Sequence, residues 1–413
     1  MGSRMEPVFV VGIGVSKQDL TSTQLDLIKS AEVLMGGRRH LDLFQDLSME
    51  KREITGRISD TMDFIGHESR HRRIVVLASG DPLFFGIGER ISRVLGPERV
   101  KILPNISAAA AAFSRINEPW GGAKILSLHG RNREFAVLEA IKSGAVVAIL
   151  TDPKHSPKWL AGWLLERGVT QIQMAVFENL GAKGEHFGWY ALRAAAEMAF
   201  EEPNVVILKP ESSSQKEREL VLGMPEEAYL HEEGLITKSE VRVVALAKLQ
   251  LTPGLLLWDL GAGSGSVGLE ASVLLGPGRI VAVEKHAGRV EQIRENARRY
   301  GVYNHEVIQG TVPGALEMLP PPDRIFIGGG GRELVDIATV AVGYLKPGGI
   351  LVVNTVLMDN LTRVYNTLRE AGMEVEVVQI QVSRGKTMPW SYRMETQHPV
   401  WILSAQRKDA YTR

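Results

Sequence analysis

The stretch Leu255-Leu256-Leu257-Trp258-Asp259-Leu260-Gly261-Ala262-Gly263-Ser264-Gly265-Ser266 decides how this sequence is read. Its apolar opening has the character of a strand buried on both faces of a parallel sheet. Three glycines at alternate positions follow, and the run to about Leu275 reads as a helix. Glycines at a strand-to-helix turn let the backbone approach a ligand closely. The next strand ends in Glu284, and an acid at that place can accept hydrogen bonds from both hydroxyls of a ribose. The simplest alternative is a tight glycine turn without a ligand. Gly263-Ser264-Gly265-Ser266-Val267-Gly268 also satisfies the GxGxxG pattern, so a dinucleotide site is a rival. A full dinucleotide fold would repeat its mononucleotide unit. Here the last two strand candidates, 374–382 and 400–403, are joined without a helix, which predicts antiparallel pairing.

Outward from that stretch the pattern holds. After Glu284, Val290, Ile293, Ala297 and Tyr300 form the apolar stripe of a helix, and Gly301 suits the position just past its end. Upstream, Thr237-x-x-Glu240 has the form of a capping box, which predicts Thr237 as an N-cap. Further strand candidates are 280–284, 306–308, 324–327 and 350–353, and in the first half 8–11, 74–78, 125–128, 146–150, 173–177 and 205–208. Short Val- and Ile-rich runs alternating with longer mixed segments are the mark of α/β units. Residues 210–219 contain nothing to bury and read as a solvated linker. The expected division is a domain over 5–209, a linker over 210–221 and a second domain over 222–413.

The bulk numbers agree. A chain of 413 residues exceeds what one core supports. It is 44% hydrophobic and 23% charged, ordinary for a soluble protein. Forty-eight basic residues balance forty-eight acidic ones, so no general nucleic-acid-binding field is evident. With no cysteine, thiolate nucleophiles, disulfides and Cys-ligated zinc are excluded together, which fits a cytoplasmic protein. No apolar run approaches the ~20 residues of a membrane span. Met1-Gly2-Ser3-Arg4 ahead of Met5 reads as an expression remnant.

The second half resembles the decarboxylating precorrin methyltransferases of cobalamin synthesis. The resemblance spans about 222 to 403 and rests on Thr237-Lys238-Ser239-Glu240-Val241-Arg242, the glycine stretch from Asp259 to Val267, Val283-Glu284-Lys285 and Phe326-Ile327-Gly328-Gly329-Gly330. It implies a class I, Rossmann-like seven-stranded methyltransferase fold. It also implies contacts to S-adenosylmethionine from Thr237, Gly261, Ala262, Gly263, Ser264, Gly265, Glu284 and Val312. Where that family commonly has Gly-Asp-Ala, this chain has Gly310-Thr311-Val312, so the side chain expected near the adenine carries no charge.

The first half holds three strand-to-helix turns in sequence: Gly12-Ile13-Gly14, Ser79-Gly80-Asp81-Pro82 and Pro104-Asn105-Ile106-Ser107-Ala108. Small residues at a helix start let its free N–H groups approach a polar ligand. With Ser127-Leu128-His129-Gly130-Arg131, Leu150-Thr151-Asp152-Pro153 and Phe177-Glu178-Asn179-Leu180-Gly181, these turns resemble the tetrapyrrole methylase family, in the branch that methylates C5 in the cobalamin pathway. That resemblance implies a two-lobed α/β fold. It implies a second S-adenosylmethionine, lined by Gly80, Asp81, Phe84, Ser107 and Ala108. The family favours Gly-x-Gly-Pro-Gly-Asp in its first loop; this chain has Gly12-Ile13-Gly14-Val15-Ser16-Lys17.

The two resemblances together imply methylation of a corrin precursor at C5 and C15, with loss of carbon dioxide from the C12 acetate, to give precorrin-8. No catalytic side chain is singled out. The substrate carries many carboxylates, so Arg131, Arg384, Lys386 and Arg393 are candidates to meet it, against the plain alternative of solvated surface charges. His67-Glu68-Ser69-Arg70-His71 matches the HExxH zinc motif, but three nearby arginines crowd a would-be cation, and no metal site is expected. One donor molecule per domain, a small-molecule tetrapyrrole substrate, no nucleic acid, no membrane and a homo-oligomer complete the expectation. Two rivals stay open: an RNA methyltransferase fused to a tetrapyrrole methylase-like domain, and a nucleotide-binding module without turnover.

Overall fold

The computed structural model describes residues 6–55, 58–130, 133–211, 219–232 and 234–407. Two compact units emerge: one comprises 1–133, 144–163 and 171–211, the other 134–143, 164–170 and 212–413.

The first unit contains two five-stranded sheets. Strands β1 (Val8–Gly12), β2 (Val33–Gly36), β3 (Glu50–Glu53), β4 (Ile74–Ala78) and β5 (Val100–Leu103) form the first, in the order β3-β2-β4-β1-β5 and wholly parallel. In β4 alternate residues serve opposite faces. Ile74 and Val76 pack with Ile65 and Ile91, whereas Val75 and Leu77 pack with Ile28 and Phe44. A strand covered on both sides must be apolar throughout, so it was readable from sequence. The edge strand β3, Glu-Lys-Arg-Glu, carries no apolar pattern, and charged edges of this kind discourage stray strand pairing. The second sheet comprises β6 (Lys124–Ser127), β7 (Val147–Leu150), β8 (Ile172–Glu178), β9 (His186–Ala191) and β10 (Asn204–Pro210), in the order β6-β7-β10-β8-β9. Only β6 and β7 run parallel; β10 is antiparallel to both its neighbours.

The second unit is built on seven strands. These are β11 (Leu256–Leu260), β12 (Arg279–Glu284), β13 (His305–Gln309), β14 (Arg324–Ile327), β15 (Ile350–Thr355), β16 (Glu374–Ile380) and β19 (Val400–Gln406), in the order β13-β12-β11-β14-β15-β19-β16. Strand β19 is antiparallel to both β15 and β16, the pairing expected from the missing helix between the last two strand candidates. Order reverses at β11, whose chain-order neighbours leave in opposite directions. In open α/β sheets the ligand crevice lies at such a switch point, outside the carboxyl ends of the strands. The glycine stretch leaves β11 at that point.

One sequence expectation is corrected here, and the helix-free stretch between the last two strand candidates holds more than a connection. The segment from Ser383 to Trp390 lies within it. It belongs to a hairpin of β17 (Ser383–Met388) and β18 (Ser391–Thr396), two strands outside the main sheet. Thr237 is not the N-cap. The helix is Ser239–Lys248, its N-cap is Lys238, and no side chain caps it. Glu226 supplies the acceptor instead, taking the Ser239 N–H at 2.8 Å, so the helix start is satisfied by a carboxylate distant in sequence.

Candidate active site

In the second unit the glycine stretch adopts the conformations that glycine permits. Gly261, Gly263 and Gly265 all have positive φ, and Gly265 is the left-handed N-cap of the helix Ser266–Leu275. A Cβ on Gly265 would come within 2.8 Å of Ile293, so the loop is packed tightly from below. A Cβ on Gly263 would meet only the Leu235 carbonyl oxygen, at 3.7 Å; above Gly263 the space is open. This open cradle, floored by glycine backbone, fits a nucleoside.

Glu284 ends β12 and is buried. One carboxylate oxygen accepts the Gly263 N–H and the other the His286 N–H, each at 3.0 Å. Those bonds fix the plane of the carboxylate and leave each oxygen further lone pairs, the arrangement two neighbouring ribose hydroxyls require. The Glu284 carbonyl also accepts the Gly310 N–H, which draws the Gly310-Thr311-Val312 turn to the same edge. Val312 is half-buried there, packed against the core. The Leu235 carbonyl borders this opening at Gly263, and the carbonyl of half-buried Thr237 accepts from Arg242 Nη1 at 2.6 Å. The glycine loop, Glu284 and the Gly310-Thr311-Val312 turn therefore meet beyond the carboxyl ends of β11 and β12.

Several residues that shape this junction were not singled out from sequence. Arg242 and Glu270 are completely buried and paired at 2.8 Å. Glu270 also accepts from the Gly223 and Met224 N–H groups and the Tyr229 hydroxyl, while Arg242 donates to the Met224 and Thr237 carbonyls. Buried Asn296 donates to the carbonyls of Leu230 and Ser264 and accepts the Leu230 N–H. Together these side chains bind the segment between Leu220 and Thr237 to the glycine loop. The legible signal was a charge inside an apolar helical run, Arg242 between valines and Glu270 between Leu269 and Ala271. Behind the loop, Asp259 accepts the Gly268 N–H at 3.0 Å, and burial, aided by the Glu284 charge, pushes its carboxyl up to about 7. Burial likewise pulls the His305 imidazole down to about 4. A Cβ on Gly268 would stand 2.7 Å from His305 Nε2 and 2.9 Å from Asp259 Oδ2, so this position admits no side chain.

In the first unit the three turns also meet. Gly80 has φ +52, and a Cβ there would be 2.9 Å from Ser107 Cα; a Cβ on Gly12 would collide with the Gly80 carbonyl at 1.9 Å. Ser107 caps the helix Ala108–Arg115, its hydroxyl accepting the Ala110 N–H. Asp81 turns its own loop by accepting the Leu83 N–H at 2.9 Å. Phe84 and Ala108 pack against the same core cluster, so Gly80, Asp81, Phe84, Ser107 and Ala108 stand together. The divergent first loop is closed by Asp19, whose Oδ2 accepts the Val15 and Ser16 N–H groups. Next to the Ser79–Pro82 turn, His40 Nε2 and the Ser79 hydroxyl lie 3.1 Å apart, and burial, then the Arg39 charge, pull His40 down to about 4.

Three of the four basic residues expected to meet the substrate lie on the β17–β18 hairpin, Lys386 directly opposite Arg393. Arg384 is committed elsewhere: its guanidinium pairs with Glu226 at 2.7 Å and Glu240 at 2.6 Å, latching the hairpin to the helix Ser239–Lys248. Glu226 is held down to about 2 by that hydrogen-bonded guanidinium. Lys386 and Arg393 are exposed on the same hairpin, both beside Glu395. Arg131 lies outside the described residues. The HExxH match is broken by geometry, since its helix ends at Glu68, before His71, and Glu68 pairs with Arg72.

Comparison with known proteins finds a different family match in each half of the chain. Residues 227–407 match the family model described as a precorrin methyltransferase domain, and residues 7–193 match that of the tetrapyrrole (corrin/porphyrin) methylases. A precorrin-6Y C(5,15)-methyltransferase [decarboxylating] of Sinorhizobium sp is 35% identical over 85% of this chain and 84% of its own length. A probable cobalt-precorrin-6B C(15)-methyltransferase (decarboxylating) of Pyrobaculum calidifontis is 39% identical over 44% of this chain and 95% of its own. The solved structure of a precorrin-6y C5,15-methyltransferase from Geobacter metallireducens is 37% identical, covers 46% of this chain and all of its own, and superposes with a TM-score of 0.44. With a relative of that identity aligned across both units, the chain belongs to the decarboxylating precorrin-6Y C(5,15)-methyltransferase family.

Proposed function

We propose that the chain methylates a precorrin-6 type tetrapyrrole at both C5 and C15 and removes carbon dioxide from the C12 acetate, each unit using its own S-adenosylmethionine. The first unit carries the C5 methylation, and the second carries the C15 methylation and the decarboxylation. The observation behind this reading is Glu284, a carboxylate at the end of β12 held by two backbone N–H groups and turned toward an open glycine cradle. The donor supplies an electrophilic methyl. The chain's own task is to hold that methyl in line with a ring carbon and to exclude water. Thr237, Gly261, Ala262, Gly263, Ser264, Gly265, Glu284 and Val312 are the proposed donor residues of the second unit. Gly80, Asp81, Phe84, Ser107 and Ala108 are those of the first. For decarboxylation the conjugated macrocycle itself serves as the electron sink.

The domain model matched over 227–407 is that of the precorrin methyltransferases, so an RNA substrate is not favoured. Among the described residues, no helix is long and apolar enough to cross a membrane. The test uses the full-length chain with one donor site disabled at a time. With S-adenosylmethionine held well below the weakened site's dissociation constant, Glu284→Ala should yield chiefly a product with one added methyl and its carboxylates intact. Gly80→Val should yield a product that has gained one methyl and lost carbon dioxide. Mass spectrometry that finds decarboxylation persisting in Glu284→Ala and lost in Gly80→Val would overturn the division.

A further inference from the structure

Arg384 is held by carboxylates of its own chain, and the second unit carries a separate cavity lined by other arginines. It measures about 450 Å3 and is lined by Arg332, Leu357, Met358, Asp359, Asn360 and Arg363. These residues follow the carboxyl ends of β14 and β15, the sheet edge at which ligands of open α/β folds bind. The wall is unusual in two ways. Val356, Leu357 and Met358 are consecutive apolar residues that stay 55%, 49% and 65% exposed. Among the described residues, exposed Arg332 and Arg363 make no ion pair, whereas Arg384 is fully engaged. Two guanidiniums against the single carboxylate of Asp359 leave the cavity net positive.

The cavity is tied to the donor loop by backbone. Gly329 Cα lies 3.3 Å from the Cβ position of Gly261, so the glycine loop after β14 rests directly on the glycine loop after β11. Two residues later the Gly331 carbonyl accepts from buried Asn360 at 2.8 Å, and Arg332 follows at once. At about 3.5 Å per extended residue, cavity wall and donor loop are separated by roughly 7 Å of chain. A molecule seated in the cavity therefore has an edge within reach of a methyl held over Gly261 to Gly265.

We infer that this cavity is the acceptor subsite for C15 methylation and decarboxylation. The exposed run 356–358 packs against the apolar edge of the tetrapyrrole, and Arg332 and Arg363 each hold one of its carboxylate side chains. The inference rests on the reading that the second unit carries those two steps. A guanidinium stabilises an ionised carboxylate and would slow its loss as carbon dioxide, so these two arginines hold carboxylates the product keeps. The acetate that decarboxylates must lie away from them, toward the less polar part of the wall.

The test is kinetic, on the full-length chain with a precorrin-6 type substrate. Arg332→Ala and Arg363→Ala should each raise the tetrapyrrole KM for C15 methylation by roughly tenfold, the scale of a charged hydrogen bond. Dissociation constants for S-adenosylhomocysteine and the C5 methylation should not move. Arg332→Lys and Arg363→Lys should recover part of the loss, since a lysine keeps the charge without the fork. The arginines are exposed, so folding survives, and unchanged melting of the variants checks this. If the tetrapyrrole KM for C15 methylation is unchanged in both alanine variants while Glu284→Ala slows that step at limiting donor, the division of labour stands and the subsite is wrong. If the loss falls on C5 methylation instead, the division fails and takes this subsite with it.

Discussion

Replacing Glu284 probes the second donor site most directly, because its carboxylate has a double duty. In the free protein it holds the Gly263 and His286 N–H groups, each at 3.0 Å. In the complex it would also accept two ribose hydroxyls. Glu284→Ala removes both sets. The backbone groups border an open cradle, so water can replace the lost acceptor. The stability cost is accordingly about 1–3 kcal/mol, which for a unit of this size lowers Tm by roughly 2–10 °C. The donor loses hydrogen bonds to a charged acceptor, about 1.5–3 kcal/mol in total, or roughly 10- to 150-fold in affinity. Titration calorimetry with S-adenosylhomocysteine should then resolve a site weakened by that factor and a second site unchanged. Glu284→Gln should fall between, since an amide keeps one acceptor and presents an N–H to the other backbone donor. The reasoning would be refuted if Glu284→Ala lowered Tm as expected yet left both dissociation constants untouched, because Glu284 would then brace the loop without touching the ligand.

Three further outcomes are expected. Calorimetry on the unmodified chain should give a stoichiometry near two donors, and a well-determined value of one would mean that one glycine site has been misread. Arg242→Ala should cost about 3–5 kcal/mol by leaving Glu270 charged and unpaired where both groups are wholly buried; chemical denaturation monitored by circular dichroism measures this, and a change under 1 kcal/mol would remove the pair's proposed role in binding the 220–237 segment. The Glu226–Arg384 latch should be acid-sensitive. Because Glu226 is depressed to about 2 in the fold from an ordinary value of 4.5, its contribution is complete above pH 4.5 and is lost as pH falls toward 2. Protection factors across Ser383–Thr396, corrected for the intrinsic pH dependence of amide exchange, should fall over that window in the parent chain, while those of Glu226→Gln should be low at every pH. Equal pH dependence in both would count against the latch.

Most strands buried on both faces were legible because their environment demands continuous apolar side chains, although β2, only four residues long and wholly buried, was not read. Thus 74–78 and 324–327 were read to the residue, and the glycine turns after β1, β4 and β11 were found from glycine alone. The edge strand β3 and the hairpin β17–β18 were not legible, since exposed strands answer to solvent and carry no hydrophobic period. Glu284 was recognisable because its place at a strand end follows from local order. Thr237 was misassigned as a cap because a capping box is a local pattern, and the acceptor that prevailed, Glu226, reaches Ser239 across thirteen residues of sequence. The arginines show the same limit. Arg384 looked free in the sequence and is held by two carboxylates, while Arg332 and Arg363 carried no motif and stand unpaired beside the donor loop. Periodicity and glycine spacing express the constraints of neighbours along the chain, and they were enough to name the fold and to place the two glycine loops proposed to hold the donor. Which charges are spent on one another and which remain for a substrate depends on distances between segments far apart in sequence, and those distances exist only once the chain has packed.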